Sequence, residues 1–343
     1  MTTEKEKAPT PREEYINSQI TSNYYANRQI SGNDVVLPSD CGSGCVKKSG
    51  KVRDQYDLGD RLALLTTDRQ SGFDRMLASV PYKGQVLNLT SAFWFDTTKD
   101  LMDNHILSIP HPNVSIVKKC KPFPIEFVVR SYMTGSTSTS IWKNYESGTR
   151  LYCGHVLPDG MTKNQKLAAN IVTPTTKDEV HDRPISREEI ISEGLMTEGD
   201  YDTCANAALA IFNKAQAIVA EKGLILVDTK FEMGKDEENG KIIVIDEMLT
   251  PDSSRYWLKN SYEVRIAGGL EPENIDKEFL RLWFKDHCDP YNDEVLPEAP
   301  KDLVCELSRR YIMLYEMITG KEFEFDNRGG EEIGKAILKK EDS

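Results

Sequence analysis

The sequence predicts an α+β fold in which antiparallel strands are flanked by helices, and three stretches predict it. The first is residues 224–257. There the apolar lead-in Leu224-Ile225-Leu226-Val227 passes into Asp228, Lys230 and Glu232, alternating with Val227, Thr229 and Phe231. At strand period two, this puts two carboxylates and an ammonium on one face, and apolar or small groups on the other. A second β-rich run, 242–245, ends in Asp246-Glu247, and Asn239-Gly240 between the runs is the strongest hairpin signal in the chain. The second stretch is an Ala-rich helix over 200–222 that buries Leu209, Phe212 and Ile218, stops at Gly223 and hands over directly to that hairpin. The third is Ile125-Glu126-Phe127-Val128-Val129-Arg130, which alternates as a clean strand among segments of helical period.

Taken in order, residues 1–15 read as a polar, loosely held tail and 15–30 as a short helix or arm. At Cys41 the composition changes to a Gly- and Lys-rich turn, followed by a strand over 61–67 and a polar loop over 68–75. A helix over 85–103 carries Val86, Leu89, Phe93 and Trp94 on one core-facing stripe. Strands broken by prolines follow at 105–109 and 114–118. Residues 150–185 read mostly as loop, and Ser186-Arg187-Glu188-Glu189 is a capping box that opens a helix. Beyond the hairpin come 261–265, an acidic linker and helices near 276–286 and 302–319. The last fifteen residues are charged and are expected to fray.

Composition sets the function class. A chain of 343 residues can bury one large core or two lobes. Its net charge of -12 argues against nucleic acid as the main partner, because a phosphate backbone needs a basic face. Seven cysteines without a CxxC pair indicate free thiols in a reducing compartment, and Cys41 with Cys45 lacks the further ligands of a zinc set. No apolar run approaches the ~20 residues of a membrane helix, and the acidic N-terminus is unlike a targeting signal. A cytoplasmic enzyme fits these limits.

The chemistry starts at the hairpin. Folding back at Asn239-Gly240 brings Glu232 within about one residue of facing Asp246. Two carboxylates converging on a half-buried sheet repel unless a cation lies between them, and Mg²⁺ suits one or two carboxylates plus phosphate. The sequel, Thr250-Pro251-Asp252-Ser253-Ser254-Arg255, is poor core and good ligand clamp. Arg130 enters the hydroxyl-rich turn 131–140, a suitable phosphate pocket. The turn containing Gly50, Lys51 and Arg53 could lay cations over a polyphosphate. It is not a Walker loop, since Val52 follows Lys51.

Five motifs, in order from about residue 47 to 319, resemble the phosphoribosylaminoimidazole-succinocarboxamide synthase (SAICAR synthetase) family. They are Ser49-Gly50-Lys51-Val52-Arg53-Asp54, Ser71-Gly72-Phe73-Asp74, residues 126–130 with Gly135-Ser136, residues 227–232, and Asp246-Glu247 with residues 250–255. The resemblance implies a two-lobed α+β fold with an ATP cleft between the lobes. It also implies a ligase of purine biosynthesis that joins carboxyaminoimidazole ribonucleotide (CAIR) to L-aspartate, with ATP and Mg²⁺. On that basis 1–40 is an N-terminal extension, 41–124 the nucleotide-binding lobe, and 125–343 the lobe carrying the metal and substrate site. Lys51, Val52 and Arg53 are expected at the ATP phosphates, and adenine against 117–124, which includes Lys121. Glu232 and Asp246 are expected as metal ligands with Lys230 beside them as the catalytic cation and Asp228 nearby. Arg130, Ser136 and Arg255 are expected at the ribonucleotide phosphate, and Ser254 among the substrate-binding residues. Ser71, Asp74, Asp182 and Asp252 are expected at the imidazole or aspartate. The partners implied are small molecules, with no nucleic acid and no membrane, and the oligomeric state is left open.

Overall fold

Two antiparallel sheets carry the molecule, which we analysed as a computed structural model describing residues 8–37, 45–73, 75–177, 182–275 and 278–339. The first half contributes helix α1 (Pro11–Tyr25), strands β1 (Val46–Ser49), β2 (Arg53–Asp57), β3 (Arg61–Thr66), β4 (Arg69–Gly72) and β5 (Arg75–Ser79), helix α2 (Lys83–Thr98), and strands β6 (Ile106–His111) and β7 (Val114–Lys118). The first sheet has the order β1-β2-β3-β7-β6, and β4 and β5 form a separate hairpin.

Next come β8 (Cys120–Tyr132), α3 (Ile141–Glu146), β9 (Leu151–Tyr152), β10 (His155–Val156), β11 (Lys166–Val172), β12 (Thr175–Thr176), α4 (Arg187–Ser192), α5 (Glu198–Glu221), β13 (Leu224–Asp236), β14 (Ile242–Ile245) and β15 (Ser254–Leu258). The second sheet runs β11-β8-β13-β14, with β12 on β8 and β15 on β13. Four helices close the described chain: α6 (Lys259–Ala267), α7 (Glu278–His287), α8 (Lys301–Thr319) and α9 (Gly330–Leu338).

Side-chain period places the core. Phe127, Val129, Leu226, Phe231 and Met233 of the second sheet pack against Ala208, Ile211, Phe212 and Ala215 of α5, with Trp94 of α2. A second core joins α1, α2, α7 and α8 through Ile16, Val86, Leu280 and Tyr311. The long central helix and the α4 capping box match expectation: Ser186 Oγ accepts from Glu189 N–H while the Glu189 carboxylate accepts from Ser186. Gly223, at φ +77°, ends the α5 connection where a side chain would be strained. No helix among the described residues is long and apolar enough to cross a membrane.

Several expectations are corrected. The β13–β14 connection is not a two-residue turn but spans 237–241, closed by Gly240 N–H donating to Asp236 O with Gly240 at φ +71°. The helix expected over 85–103 begins at Lys83 and ends at Thr98. Within 150–185 a seven-residue strand, β11, pairs with β8, its alternation hidden by a register shift between Lys166 and Ile171. The N-terminal helix starts earlier than expected, because Thr10 and Glu13 form a capping box. Of the last fifteen residues, those expected to fray, 330–338 instead form α9, with Ile333 and Ile337 buried against Tyr56, Leu65 and Ile116 of the first sheet, and 340–343 lie outside the described residues.

Candidate functional site

Strand β13 is the spine of the site. It is central in its sheet, pairing with β8 on one side and with β15 and then β14 on the other. Period two puts Asp228, Lys230 and Glu232 on one face, about 7 Å from one to the next. Glu232 pairs with Ile245 across the hairpin and with Glu126 across β8. Asp246 therefore follows Glu232's partner by one residue, the register the alternation suggested. At Asp246 the backbone turns left-handed, φ +65°, which ends β14 and is costly for a non-glycine residue.

Two charge clusters result. In the first, the Lys230 ammonium contacts Glu232, lies 3.2 Å from Glu126 Oε1 and 3.6 Å from Asp246 Oδ2. Lys177 reaches the other oxygen of Glu232. Arg53, arriving on β2 from the first sheet, pairs with Asp246 and with Glu247 Oε2 at 2.7 Å. Burial alone would lower the Lys230 pKa, but Glu232, Asp246 and Glu126 outweigh it and raise it well above the ordinary lysine value. Burial would likewise raise Asp246, yet Arg53 and Lys230 hold it well below the usual carboxylate range. At Glu126 burial wins over Lys230, and its pKa is raised.

In the second cluster Asp228 sits between two arginines, with Arg255 Nη1 at 2.5 Å and Arg130 Nη1 at 3.4 Å. Arg130 also donates to Thr173 Oγ1 at 2.8 Å and to Thr139 O at 3.1 Å. The second cluster and, from the first, Glu126 and Lys230 line one cavity of about 230 Å³, whose lining also includes Thr137, Ser140, Asp182, Asp252, Ser254 and Arg281. Arg53, Asp246 and Glu247 line a separate small pocket. A carboxylate-and-lysine end thus lies beside a two-arginine end within one cavity.

Other predicted residues lie further out. Ser136 is exposed and faces a smaller neighbouring pocket shared with Arg255. Ser71 lies on β4, outside the main cavity's lining, and Asp74 lies outside the described residues. Lys51 is exposed at the β1–β2 turn, and its carbonyl accepts from Arg69 Nε at 3.2 Å. Val52 O accepts from Thr67 Oγ1 at 2.7 Å, which fixes the same turn. Lys121 is exposed on β8 opposite Lys235, two pairs beyond Glu232 across a register shift.

Sequence reasoning missed Glu126, Lys177, Glu247 and Arg281 as site residues. Glu126 had a signal, since period two from Arg130 puts it on the same face of the strand. Glu247 stood in the quoted Asp246-Glu247 motif, whereas Lys177 and Arg281 come from a loop and a remote helix with no period to reveal them.

A family model described as SAICAR synthetase matches residues 46–298. A phosphoribosylaminoimidazole-succinocarboxamide synthase of Legionella pneumophila (strain Lens) is 61% identical over 284 residues, 83% of this chain and 91% of that protein. A synthase of the same name from Arabidopsis thaliana, designated chloroplastic, is 60% identical over 275 residues, 80% of this chain and 67% of that protein. Among solved structures, the SAICAR synthase from Saccharomyces cerevisiae complexed with SAICAR aligns with TM-score 0.71 and 32% identity, covering 85% of this chain and 100% of that one. The chain therefore belongs to the SAICAR synthetase family.

Proposed function

We propose that the cavity along β13 is where this chain joins CAIR to L-aspartate at the expense of ATP, giving SAICAR, ADP and phosphate. Family membership makes the chain an enzyme, a carbon–nitrogen ligase of purine biosynthesis. The observation that carries the site assignment is the pairing, on one strand face, of a two-arginine end and a lysine–carboxylate end. An anionic ribonucleotide with a reacting carboxylate needs those two ends: a fork for its phosphate, and charge neutralisation where phosphoryl transfer occurs.

In this reading Arg130 and Arg255 exchange Asp228 for the 5′-phosphate of CAIR, with Ser136 and Ser254 completing the grip. Lys230 neutralises the imidazole carboxylate as it attacks the γ-phosphorus, forming an acyl phosphate and releasing ADP. The amine of L-aspartate then attacks the acyl carbon, loses a proton and displaces phosphate, which makes the amide. Positioning and charge neutralisation suffice, so no protein nucleophile is required. Lys51, Val52 and Arg53 hold the ATP phosphates, with adenine against 117–124 near Lys121. Ser71, Asp74, Asp182 and Asp252 orient the imidazole or the aspartate.

Glu232 and Asp246 fit Mg²⁺, because they offer hard oxygen donors already arranged about a cation. When bound, the ion would neutralise the β- and γ-phosphates of ATP. Residues 41–124 then form the nucleotide-binding lobe, 125–343 the substrate lobe, and 1–40 an extension; the cytoplasm is the expected compartment.

The test is ADP release by purified protein with Mg-ATP and CAIR, with and without L-aspartate, with product followed by absorbance. Aspartate-dependent release matched by product is expected. ATP binding with no turnover would overturn the reading. Glu232→Gln and Asp246→Asn should each abolish turnover while leaving the fold intact, and normal activity in either would sink the metal assignment.

A further inference from the structure

Lys83 is fully buried, with none of its side chain open to solvent, yet no motif pointed to it. Its ammonium lies 2.8 Å from Asp252 Oδ2, and the Tyr311 hydroxyl of α8 donates to Asp252 Oδ1 at 2.7 Å. Asp252 is thus held on both oxygens from behind while it lines the cavity, its side chain only 6% exposed.

The backbone around Lys83 has little freedom. Tyr82 is left-handed at φ +58°, a conformation a tyrosine holds only when its surroundings impose it. A Cβ on Gly84 would lie 2.3 Å from Thr66 O, so the helix start is pressed directly onto the end of β3. Ser308 of α8 donates to Pro81 O at 2.6 Å, which locks the turn from the other side. A buried lysine–carboxylate pair is seldom the most stable filling for such a space, since apolar groups of equal volume do as well or better. What the pair secures is an anion at a set place in the cavity wall.

We propose that Lys83, supported by Tyr311, is a positioning residue that fixes Asp252 as a charged acceptor for an N–H group of the amino-bearing substrates, CAIR or L-aspartate. The proposal rests on the functional reading above. Lys83 does not touch substrate; it acts through Asp252. The other charged groups lining the cavity with Asp252 are Glu126 and Arg130 on β8, Asp228 and Lys230 on β13, Arg255 on β15, Arg281 on α7, and Asp182. Asp68, whose carboxylate accepts from Gly84 N–H at 2.8 Å, is a second acid that feels the Lys83 charge, which acts to lower its pKa against burial.

The experiment uses the full-length enzyme and Lys83→Met. Expected are a fall in kcat/KM for CAIR or aspartate of about a hundredfold, of the order a displaced positioning group produces, with KM for ATP unchanged. The acid limb of the pH–kcat/KM profile should also move to higher pH, because a buried carboxylate without its cation protonates more readily. An unchanged profile with only a lowered melting temperature would overturn the proposal and reduce Lys83 to a structural role. Should Lys83→Met fail to fold, Lys83→Met with Asp252→Asn replaces the pair by two neutral groups. That double variant should fold and bind ADP normally but lose aspartate-dependent turnover, and wild-type turnover in it would overturn the proposal. If the wild-type enzyme shows no aspartate-dependent ADP release, the functional reading fails. If it does, and Lys83→Met keeps its pH profile, only the positioning inference fails.

Discussion

Replacing Lys230 by methionine asks whether the carboxylates of the cavity are held together by charge or by packing. Methionine keeps most of the apolar stem and removes the ammonium. That ammonium contacts Glu232 and lies 3.2 Å from Glu126 and 3.6 Å from Asp246, with a quarter of its side chain exposed. Removing one member of a buried ion cluster costs about 3–5 kcal/mol, and partial exposure places this variant near the low end, about 3 kcal/mol. Unfolding entropy of about 2.1 cal/mol/K per residue gives about 0.7 kcal/mol/K for a chain of this length, hence a loss of about 4 °C in Tm. The loss should depend on pH. Burial already raises Glu126, with Lys230 the largest opposing cause, so without the ammonium Glu126 rises further. A carboxyl with a raised folded pKa binds more protons when folded. Its contribution is fully present below the unfolded value of about 4.3 and is lost as pH rises through the folded one. The deficit of Lys230→Met should therefore be smaller at pH 5 than at pH 8. Scanning calorimetry at both values, at fixed ionic strength and without divalent cations, provides the check. Equal deficits would refute the electrostatic account and indicate a packing defect.

Three further outcomes are expected. Arg255→Ala should raise KM for CAIR by about ten- to a hundredfold, the loss of one charge-assisted contact, while KM for ATP stays within about threefold; steady-state kinetics with each substrate varied decides it, and a change confined to ATP sinks the phosphate-fork assignment. Burial pushes the Asp68 carboxyl up to about 6, even though two backbone N–H groups donate to it. Its folded pKa exceeds its unfolded value of about 3.9, so it contributes about 3 kcal/mol that is present below pH ~4 and lost by pH ~6. Asp68→Asn should flatten that part of the stability profile in urea titrations at pH 4.5 and 6.5, and an unaltered slope would contradict it. Gly334→Val should undock α9, since even a Cβ there would lie 1.9 Å from Val36 O. Hydrogen exchange along 331–338 should lose protection, and retained protection would show that the contact can relax.

The sequence carried its plainest information where period and punctuation agree. The alternation of 125–130 and 227–232, the Ser186 capping box and Gly223 each specify local structure without help from the rest of the fold. The central site residues lie on those strands, so Asp228, Lys230, Glu232 and Arg130 could be named and placed on one face. What was illegible depends on distant packing. Lys83 opens α2, and its partner Asp252 lies 169 positions later. Helix α9 offers only Ile333, Ala336 and Ile337 as buried apolar side chains amid Glu331, Glu332 and Lys335, a pattern that becomes a stripe only against a sheet. Strand β11 lost its alternation to a register shift, which no period-two count survives.

The return of α9 to the first sheet bears on how the polypeptide is made. Ile333 and Ile337 fill a core whose other walls, Tyr56, Leu65 and Ile116, lie more than 200 residues earlier. A ribosome delivers those walls more than 200 residues before the plug. Until α9 emerges the sheet's apolar face is therefore uncovered, the kind of surface that chaperones hold and that aggregates when they do not. Ending the chain before residue 330 would leave the motifs of the β13 site intact and the first sheet without its cover.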